Sequence, residues 1–508
     1  FWAPIPKGHG LTRVSLAGTV TGLRSLSQGM DLRITPFLLG SVRYQREGQD
    51  GDTSMPSDVG LDIKYGVTSA LNLDVTVNTD FAQVEVDEQQ VNLTRFSLFF
   101  PEKRDFFLEN AGQFNVGTRR QEAQLFFSRR IGLSSGGQPL PILGGARLSG
   151  RVNRNNIALM NIQTREAFGQ NGENFLVARY SREILSRSKV GGILIDKQEL
   201  DGADFNRTLG LDTTLAVSKN LTLNGFLAKT STPGITDSDL AFHGRASYRD
   251  SNWNVYTSYL DIQDHFNAEV GFVPRTGIRT SQTHIEYSPR PERFHIRVME
   301  PMVNFTYTTD QNNRLLTRRV HQMVGFRMND GSYVNVFYNS ILEVLDNPFV
   351  ISQDVIIPPG TYTFGAWVFQ YNTDPSRWLY AKLRYSPQTF FDGFRKDIDA
   401  TLGIRATRRL SAELRYRRNA VELPWGDFKV NLGTLRLDYS FSPRMTLRTL
   451  LQYNSDLREF NSSIRFHFIY RPGSDLYLVY NDLRRDPLDL HETRDRQLVL
   501  KLNYMFSR

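Results

Sequence analysis

Apolar and polar residues alternate along most of this sequence, in runs separated by turn residues. A period of two residues is the period of a β-strand, so each run would present one apolar and one polar face. Roughly two dozen runs occur, and each has about the 9–11 residues that a tilted strand needs to cross a bilayer. The pattern therefore predicts an all-β chain. Three of the clearest runs are 208–217, 435–441 and 498–506.

Soluble sheets share this alternation with transmembrane barrels. In a soluble sandwich the strands average about five or six residues, and a propeller would repeat a blade motif about every 40 residues. Here, short turns such as 218–220 alternate with longer loops such as 346–359 and 484–494, which is typical of outer-membrane barrels. Strand length, strand number and the aromatic C-terminal run favour a single large antiparallel transmembrane β-barrel of about 24–26 strands.

The composition agrees with a barrel and excludes a helical membrane protein. Mean hydropathy is −0.39, and no stretch of about 18 consecutive apolar residues occurs, which a transmembrane helix would need. A barrel keeps such a polar average because lipid-facing residues alternate with luminal ones. Phenylalanine and tyrosine are frequent, with 34 and 21 residues, as expected for the aromatic girdles of a barrel.

Charge and reactive residues narrow the possible functions. The net charge of +8 comes from arginines and lysines scattered along the chain, without a basic arm, so we expect no nucleic-acid partner. Cysteine is absent, and the eight histidines do not fall at metal-ligand spacing. A GxSxG match at 132–136 is followed by a Gly/Pro-rich loop instead of a helix. We therefore expect no enzyme, no catalytic site, no metal and no cofactor.

The first residues differ from the barrel pattern. Residues 1–13 contain Pro4 and Pro6 and read as an extended linker, so we assign residues 14–508 to the barrel. No signal peptide is visible at the first residues. We accordingly expect the chain to be a mature form or a fragment.

One long stretch breaks the alternation: residues 80–114, DFAQVEVDEQQVNLTRFSLFFPEKRDFFLENAGQF. It is too charged to face lipid and too aromatic to be a free tail. We interpret it as an internal plug-like or gate segment of the barrel, the alternatives being a surface excursion or an amphipathic helix on a soluble sheet. The residues assigned to this plug or gate are Glu85, Asp87, Glu88, Phe99, Phe100, Glu102, Lys103, Arg104, Asp105, Phe106, Phe107 and Glu109.

The charges of this stretch allow more than one role. Carboxylates at Glu85, Asp87 and Glu88 suit calcium or magnesium, but their spacing is not that of an EF-hand loop, so ion pairing to luminal arginines is favoured. The charged knot at 102–105 could gate a pore or dock a partner. We favour a salt-bridged anchor that fixes the stretch to the barrel wall, because charges away from water must be paired.

Residues 60–114 resemble the signature of a known family, and the run FFPEKRDFFLE at 99–109 is the most specific part. The stretches DHFNAEVGFVPR at 264–275 and KLNYMF at 501–506 also fit. The family consists of large bacterial outer-membrane β-barrel proteins of unassigned function. In that family the barrel usually follows a domain resembling family-nine carbohydrate-binding modules. No such domain is visible in this sequence, so the resemblance does not imply carbohydrate handling.

Together, pattern and resemblance imply a multi-pass protein of the bacterial cell outer membrane. The leading function is passage or export of a solute or polymer with an internal gate. The alternative is a non-transporting scaffold barrel in a multi-protein outer-membrane complex. Expected partners are outer-membrane lipid, the barrel-assembly machinery and periplasmic or surface proteins. The resemblance also implies a C-terminal assembly signal at Tyr504 and Phe506, although an ordinary amphipathic last strand would look similar.

Overall fold

A computed structural model of the chain describes residues 17–18, 20–22, 31–47, 50–79, 86–118, 122–134, 137–185, 187–202, 204–352, 354–485 and 493–507. The predicted linker at 1–13, Glu85 and most of the loop 484–494 lie outside the described residues. None of the helices in the described ranges has the length and apolar character needed to span a membrane.

The described residues form 28 strands, one short α-helix and two 3-10 helices. The α-helix, α1, is Asp105–Leu108, and the 3-10 helices are Ala111–Gln113 and Ser128–Arg130. The strands are β1 Leu32–Glu47, β2 Asp50–Ser54, β3 Ser57–Thr68, β4 Leu71–Val77, β5 Ile142–Val152, β6 Asn155–Thr164, β7 Glu173–Ile184, β8 Ser188–Glu199, β9 Phe205–Ala216, β10 Leu221–Ser231, β11 Leu240–Arg249, β12 Trp253–Ile262, β13 Ile278–Tyr287, β14 Ile296–Asp310, β15 Leu315–Met328, β16 Tyr333–Leu345, β17 Phe349–Ser352, β18 Val355–Ile357, β19 Gly360–Asn372, β20 Leu379–Phe390, β21 Gly393–Arg405, β22 Leu410–Leu423, β23 Gly426–Ser442, β24 Met445–Asn454, β25 Glu459–Arg471, β26 Ser474–Arg484, β27 Thr493–Asn503 and β28 Phe506–Ser507.

Within the described residues, 24 strands form a closed antiparallel ring. Each pairs with its neighbour along the chain, and β1 closes the ring by pairing with β27, from Phe37↔Asn503 to Gln45↔Asp495. The short strands β2 and β28 add to β1, whereas β17 and β18 form a separate hairpin. The predicted all-β, single antiparallel barrel is confirmed, with a strand number at the lower end of the predicted range.

The two faces of the strands differ in the way the alternation predicts. On β9, Leu209 and Leu211 are 59% and 62% exposed. Thr208, which precedes Leu209 on the same strand, is 1% exposed. The exposed face of β9 is therefore apolar and its covered face polar or small. A soluble sheet has the opposite arrangement, so this distribution fits a wall with lipid outside.

Connections of different length gather at the two ends of the barrel. Short turns such as 153–154, 217–220 and 443–444 lie at the end where β1 begins and β27 finishes. The longer connections 165–172, 263–277, 346–359 and 78–141 lie at the opposite end, which we call the loop end. The long loops lie at one end as predicted, but short connections such as 391–392 and 424–425 also lie at this end.

Candidate functional site

Residues 78–141 connect β4 to β5 and contain the stretch that broke the sequence alternation. We call the described part, residues 86–118 and 122–133, the inserted segment. The connection extends well beyond residue 114, where the sequence interpretation ended it. Regular structure is limited to α1 and the two 3-10 helices, and Asn110 adopts a positive φ of 53° between the first two. Asparagine tolerates this left-handed conformation, which lets the chain turn sharply after α1.

The charged knot binds within the inserted segment. Arg104 donates hydrogen bonds of 2.7 Å to the backbone oxygens of Ser128 and Ile131. Its guanidinium also pairs with Glu102 at 2.7 Å, and the Ser128 hydroxyl donates to the same carboxylate. Burial alone would raise the pKa of Glu102, but the hydrogen bonds and charge of Arg104 hold it below its ordinary value. This pair joins two parts of the segment instead of anchoring it to the wall.

A second internal group surrounds Asp87. Lys103 pairs with its carboxylate at 3.0 Å, Arg129 contacts the other carboxylate oxygen, and Lys103 also donates to the backbone oxygen of Val86. The guanidinium of Arg129 lies 5.5 Å from the ring of Phe100. Asp87 and Lys103, both predicted site residues, thus hold the start of the segment against its later part.

Glu88 makes the contact with the wall that the sequence interpretation expected of the acidic cluster. Its carboxylate accepts hydrogen bonds of 2.8 and 3.0 Å from Arg436 on β23, and Arg415 on β22 lies 3.6 Å away. The neighbouring backbone is held as well: Arg417 donates to the Gln89 oxygen at 2.8 Å. Ion pairing of this acid to inward-facing arginines agrees with the interpretation that the sequence favoured.

Arg95 forms a further wall contact that sequence reasoning missed. It pairs with Glu343 on β16 at 3.1 Å. Arg275 also lies near the Phe96 ring, with guanidinium-to-centroid distances of 5.1 Å for Arg95 and 5.6 Å for Arg275. Burial and the nearby charge of Arg95 lower the pKa of Arg275 to about 10. Nothing in the local sequence pairs Arg95 with a glutamate some 250 positions away.

The end of α1 contacts β3, β4 and β5 through charges. Arg147, whose side chain is only 1% exposed, donates to the Glu109 backbone oxygen at 2.7 Å and to the Phe106 oxygen. The same guanidinium pairs with Asp74 at 2.7 Å. Lys64 pairs with the Glu109 carboxylate. Glu109 is a predicted site residue, whereas Arg147 and Asp74 were not distinguished from other inward-facing charges of the strands.

The predicted phenylalanines pack in separate places. Phe99 stacks on Phe127 at 5.0 Å and contacts Phe272 edge-on at 5.3 Å. Phe106 and Phe107 contact each other at 5.2 Å, and Phe107 is buried. Phe272 belongs to the loop 263–277, whose backbone pairs with the segment through Gln124. This loop contains the second family-like stretch, and its pairing with the segment was not foreseen.

The largest apolar cluster joins the segment to the wall. Leu125 is fully buried, and a Cβ added at Gly210 on β9 would lie 2.8 Å from its Cδ1 atom. A second cluster joins Leu93 to Phe364 on β19 and to neighbouring residues. The later half of the segment, which includes Leu125, lies beyond the predicted stretch because its apolar residues resemble those of an ordinary strand.

The wall contacts of the segment lie on opposite sides of the ring. Counted from β1 through the paired neighbours, β9 is the eighth ring strand and β23 the twentieth. Leu125 contacts β9 and Glu88 contacts β23, so the two contacts are half of the 24-strand ring apart. A segment bound only along one edge of the sheet could not make both.

The predicted C-terminal signal lies at the closing seam. Tyr504 and Phe506 have ring centroids 4.6 Å apart, and β28 pairs with Arg33 and Ile34 of β1. The Tyr504 backbone N–H donates to the Pro36 oxygen at 3.1 Å. The two aromatic residues therefore follow the last long strand directly and remain next to the first.

Comparison with known proteins gives one family match and several distant structures. The model of a family described as a domain of unknown function, DUF5916, matches residues 29–161, which include the FFPEKRDFFLE run. No curated protein matches the sequence.

Solved structures with a similar chain course include outer-membrane proteins of two bacteria. The siderophore receptor PirA from Acinetobacter baumannii is 7% identical, with 95% of this chain and 81% of that chain covered and a TM-score of 0.49. OpdQ from Pseudomonas aeruginosa is 10% identical, with coverages of 94% and 98% and a TM-score of 0.32. A mutant of the ferric enterobactin receptor PfeA from Pseudomonas aeruginosa is 8% identical, with coverages of 94% and 81% and a TM-score of 0.42. Such low values support no transfer of ligand or mechanism.

Proposed function

We propose that this chain is a barrel of the bacterial outer membrane that passes or exports a solute or polymer, with the inserted segment as its internal plug or gate. The observation that carries the proposal is the pair of contacts on opposite sides of the ring, through Leu125 to β9 and through Glu88 to β23. A segment with these contacts crosses the lumen.

The size of the ring supports an occluded passage. The diameter of a barrel grows roughly linearly with strand number, and barrels of about 16–18 strands already enclose an aqueous channel. An empty ring of 24 strands would therefore leave a hole that defeats the membrane as a barrier. A segment that occupies the lumen prevents this, and its displacement gives a means of controlled passage.

The orientation follows from the connections. Outer-membrane barrels place their longer loops outside the cell and their short turns in the periplasm. The inserted segment leaves β4 and enters β5 at the loop end. We therefore propose that it folds inward from the extracellular side, as a long loop of the barrel.

The partners follow from the same proposal. The exposed leucines of the strands would contact outer-membrane lipid, and Tyr504 with Phe506 beside β1 would be recognised by the barrel-assembly machinery. Under the alternative function, a non-transporting scaffold in a multi-protein complex, periplasmic or surface proteins would bind the barrel.

Single-channel recording in a planar bilayer tests the proposal. The full chain is compared with a variant in which residues 86–133 are replaced by a short Gly/Ser linker, and with a control that shortens the surface loop 232–239 by the same means. We expect small or brief currents from the full chain, large continuous currents from the first variant and no change in the control.

Two results would speak against passage. A folded deletion variant whose currents equal those of the full chain would refute the gate. Loss of copurifying proteins in the deletion variant, without any current in either form, would favour the scaffold.

A further inference from the structure

The inserted segment is packed unevenly around the ring. The first apolar cluster joins it to inward-facing residues on β5 to β8, β10 to β13 and β15, and the second joins it to β16 to β20 and β22. The third cluster, which consists of Leu39, Val479 and Val499 with Tyr477 beside them, lies on β1, β26 and β27. Among the described residues, this third cluster contains no member of the segment. Within the described ranges, no strand of the sector from β26 through β1 to β4 contributes to the two clusters that contain the segment.

A polar cavity occupies that sector. Its volume is about 310 Å³, and it lies between Asp105, Phe106 and Glu109 on one side and strands β1, β3, β4, β26 and β27 on the other. This volume is at the lower end of the range for sites that bind small molecules. Charges of both signs face it, among them Arg33, Lys64, Asp62 and Asp475.

The same sector holds α1 by charge. Lys64 pairs with the Glu109 carboxylate, and this pair is only partly covered, with side chains 23% and 42% exposed. Close to this pair, Arg147 donates hydrogen bonds to the backbone oxygens of Phe106 and Glu109 and pairs with Asp74. A partly exposed ion pair contributes much less than a buried apolar contact. The Lys64–Glu109 pair is therefore the contact with this sector that breaks most easily, whereas Arg147 is buried and Phe107 of α1 packs in the largest apolar cluster.

We propose that the solute passes between α1 and the β26–β27–β1–β3–β4 sector, that the 310 Å³ cavity is its binding site, and that the Lys64–Glu109 pair is the latch that closes it. The proposal rests on the passage function proposed above. Because both signs of charge line the cavity, a simple cation or anion meets repulsion as well as attraction there. The route therefore suits small hydrophilic molecules that carry both charges, and its selectivity between simple ions is weak.

The absence of cysteine from the chain allows a direct test of the route. In the full chain, Thr35→Cys places a thiol in the cavity, whereas Thr208→Cys places one on the covered face of β9, next to the packed side of the segment. A cationic methanethiosulfonate reagent is added during single-channel recording. We expect Thr35→Cys currents to fall on labelling and Thr208→Cys currents to stay constant. Asp62→Cys repeats the test from the neighbouring strand β3, where Asp62 is the register partner of Thr35.

The latch is tested by neutralising one partner. Glu109→Gln should raise the open probability about twofold to fivefold, as expected for a partly exposed ion pair. Lys64→Gln should do the same, and the double variant should add little more. The control is Glu183→Gln, which removes an exposed ion pair with Arg151, a residue of the strand that also carries Arg147. The ratio of potassium to chloride permeability, measured in a salt gradient, should lie near one.

The outcomes distinguish failure of the proposed route from failure of the passage function on which it rests. Currents that persist unchanged after mass spectrometry has verified labelling at Thr35→Cys and Asp62→Cys would refute the route while passage stands. An unchanged open probability in Glu109→Gln and Lys64→Gln would refute the latch. No current from either the full chain or the 86–133 deletion would overturn passage and the route with it.

Discussion

The contact between Leu125 and β9 should decide whether the segment stays packed. The Leu125 side chain is fully buried, with its Cδ1 atom against Gly210. Leu125→Ala removes three carbon atoms, a loss of about 2.4 kcal/mol at roughly 0.8 kcal/mol for each methylene. The space left behind brings the total for such changes to about 2.7–5 kcal/mol. We therefore expect local opening of the segment to become at least about 100-fold more frequent, since each 1.4 kcal/mol is a factor of ten.

Hydrogen exchange of the barrel in lipid nanodiscs measures this opening directly. Peptides covering residues 122–133 should exchange faster in Leu125→Ala, whereas peptides from the wall strands should not change. The matched control is Leu211→Ala, which removes the same atoms next to Gly210 but from the outer face, where Leu211 is 62% exposed. Equal acceleration in both variants, or none in Leu125→Ala, would refute the inference that this contact holds the segment to β9.

Three further changes test the faces and the charges. Leu437→Arg should hinder assembly in membranes, because arginine near the bilayer midplane costs about 2–4 kcal/mol. The Arg436→Leu variant should still assemble. Equal yields of heat-modifiable barrel from the two variants would contradict the assignment of faces. Arg104→Ala should leave the barrel assembled but raise ion leak and sensitivity to large antibiotics, because the carbonyls of Ser128 and Ile131 lose their donor; wild-type resistance would count against this. The pKa of Glu102 is lower in the folded chain than its ordinary value of about 4.3. Its contribution is therefore present above that value and lost as the pH falls through the folded pKa, so exchange in the segment should rise in acid for the wild type and respond less in Glu102→Gln.

The fold could be predicted because its signal is local. On β9 the exposed Leu209 and the buried Thr208 reflect the difference between lipid and lumen. A period of two can be recognised within one strand, without knowledge of distant residues. The number of strands follows when each run is counted as one strand. Pairing of the first strand with the last long strand then closes the ring. The inserted segment was also detectable, because its charges and phenylalanines interrupt the alternation.

The arrangement of the segment could not be predicted in the same way. Arg147 looks like any other inward-facing arginine of a strand, yet it is nearly fully buried and holds the end of α1. Gly210 differs from other strand glycines only because Leu125 packs against it. The charged knot was interpreted as a wall anchor, but Glu102 and Arg104 find closer partners in Ser128 and the neighbouring backbone. Each of these contacts joins residues whose separation in sequence says nothing about their distance in space.

The way in which the segment is tethered limits how a passage could open. Its two ends continue into β4 and β5, which pair with each other from Leu71↔Gly150 to Val77↔Gly144. Release of the whole segment through the short-turn end would strain the pairing of β4 with β5. It would also break the two apolar clusters that hold the segment to the wall. Displacement of α1 breaks the polar contacts to Lys64 and Arg147 and the packing of Phe107 in the largest apolar cluster. A local movement of α1 nevertheless leaves the second apolar cluster, the Leu125 contact and the Glu88 contact in place. It therefore breaks fewer contacts than release of the whole segment, and opening in the lumen should begin at this edge.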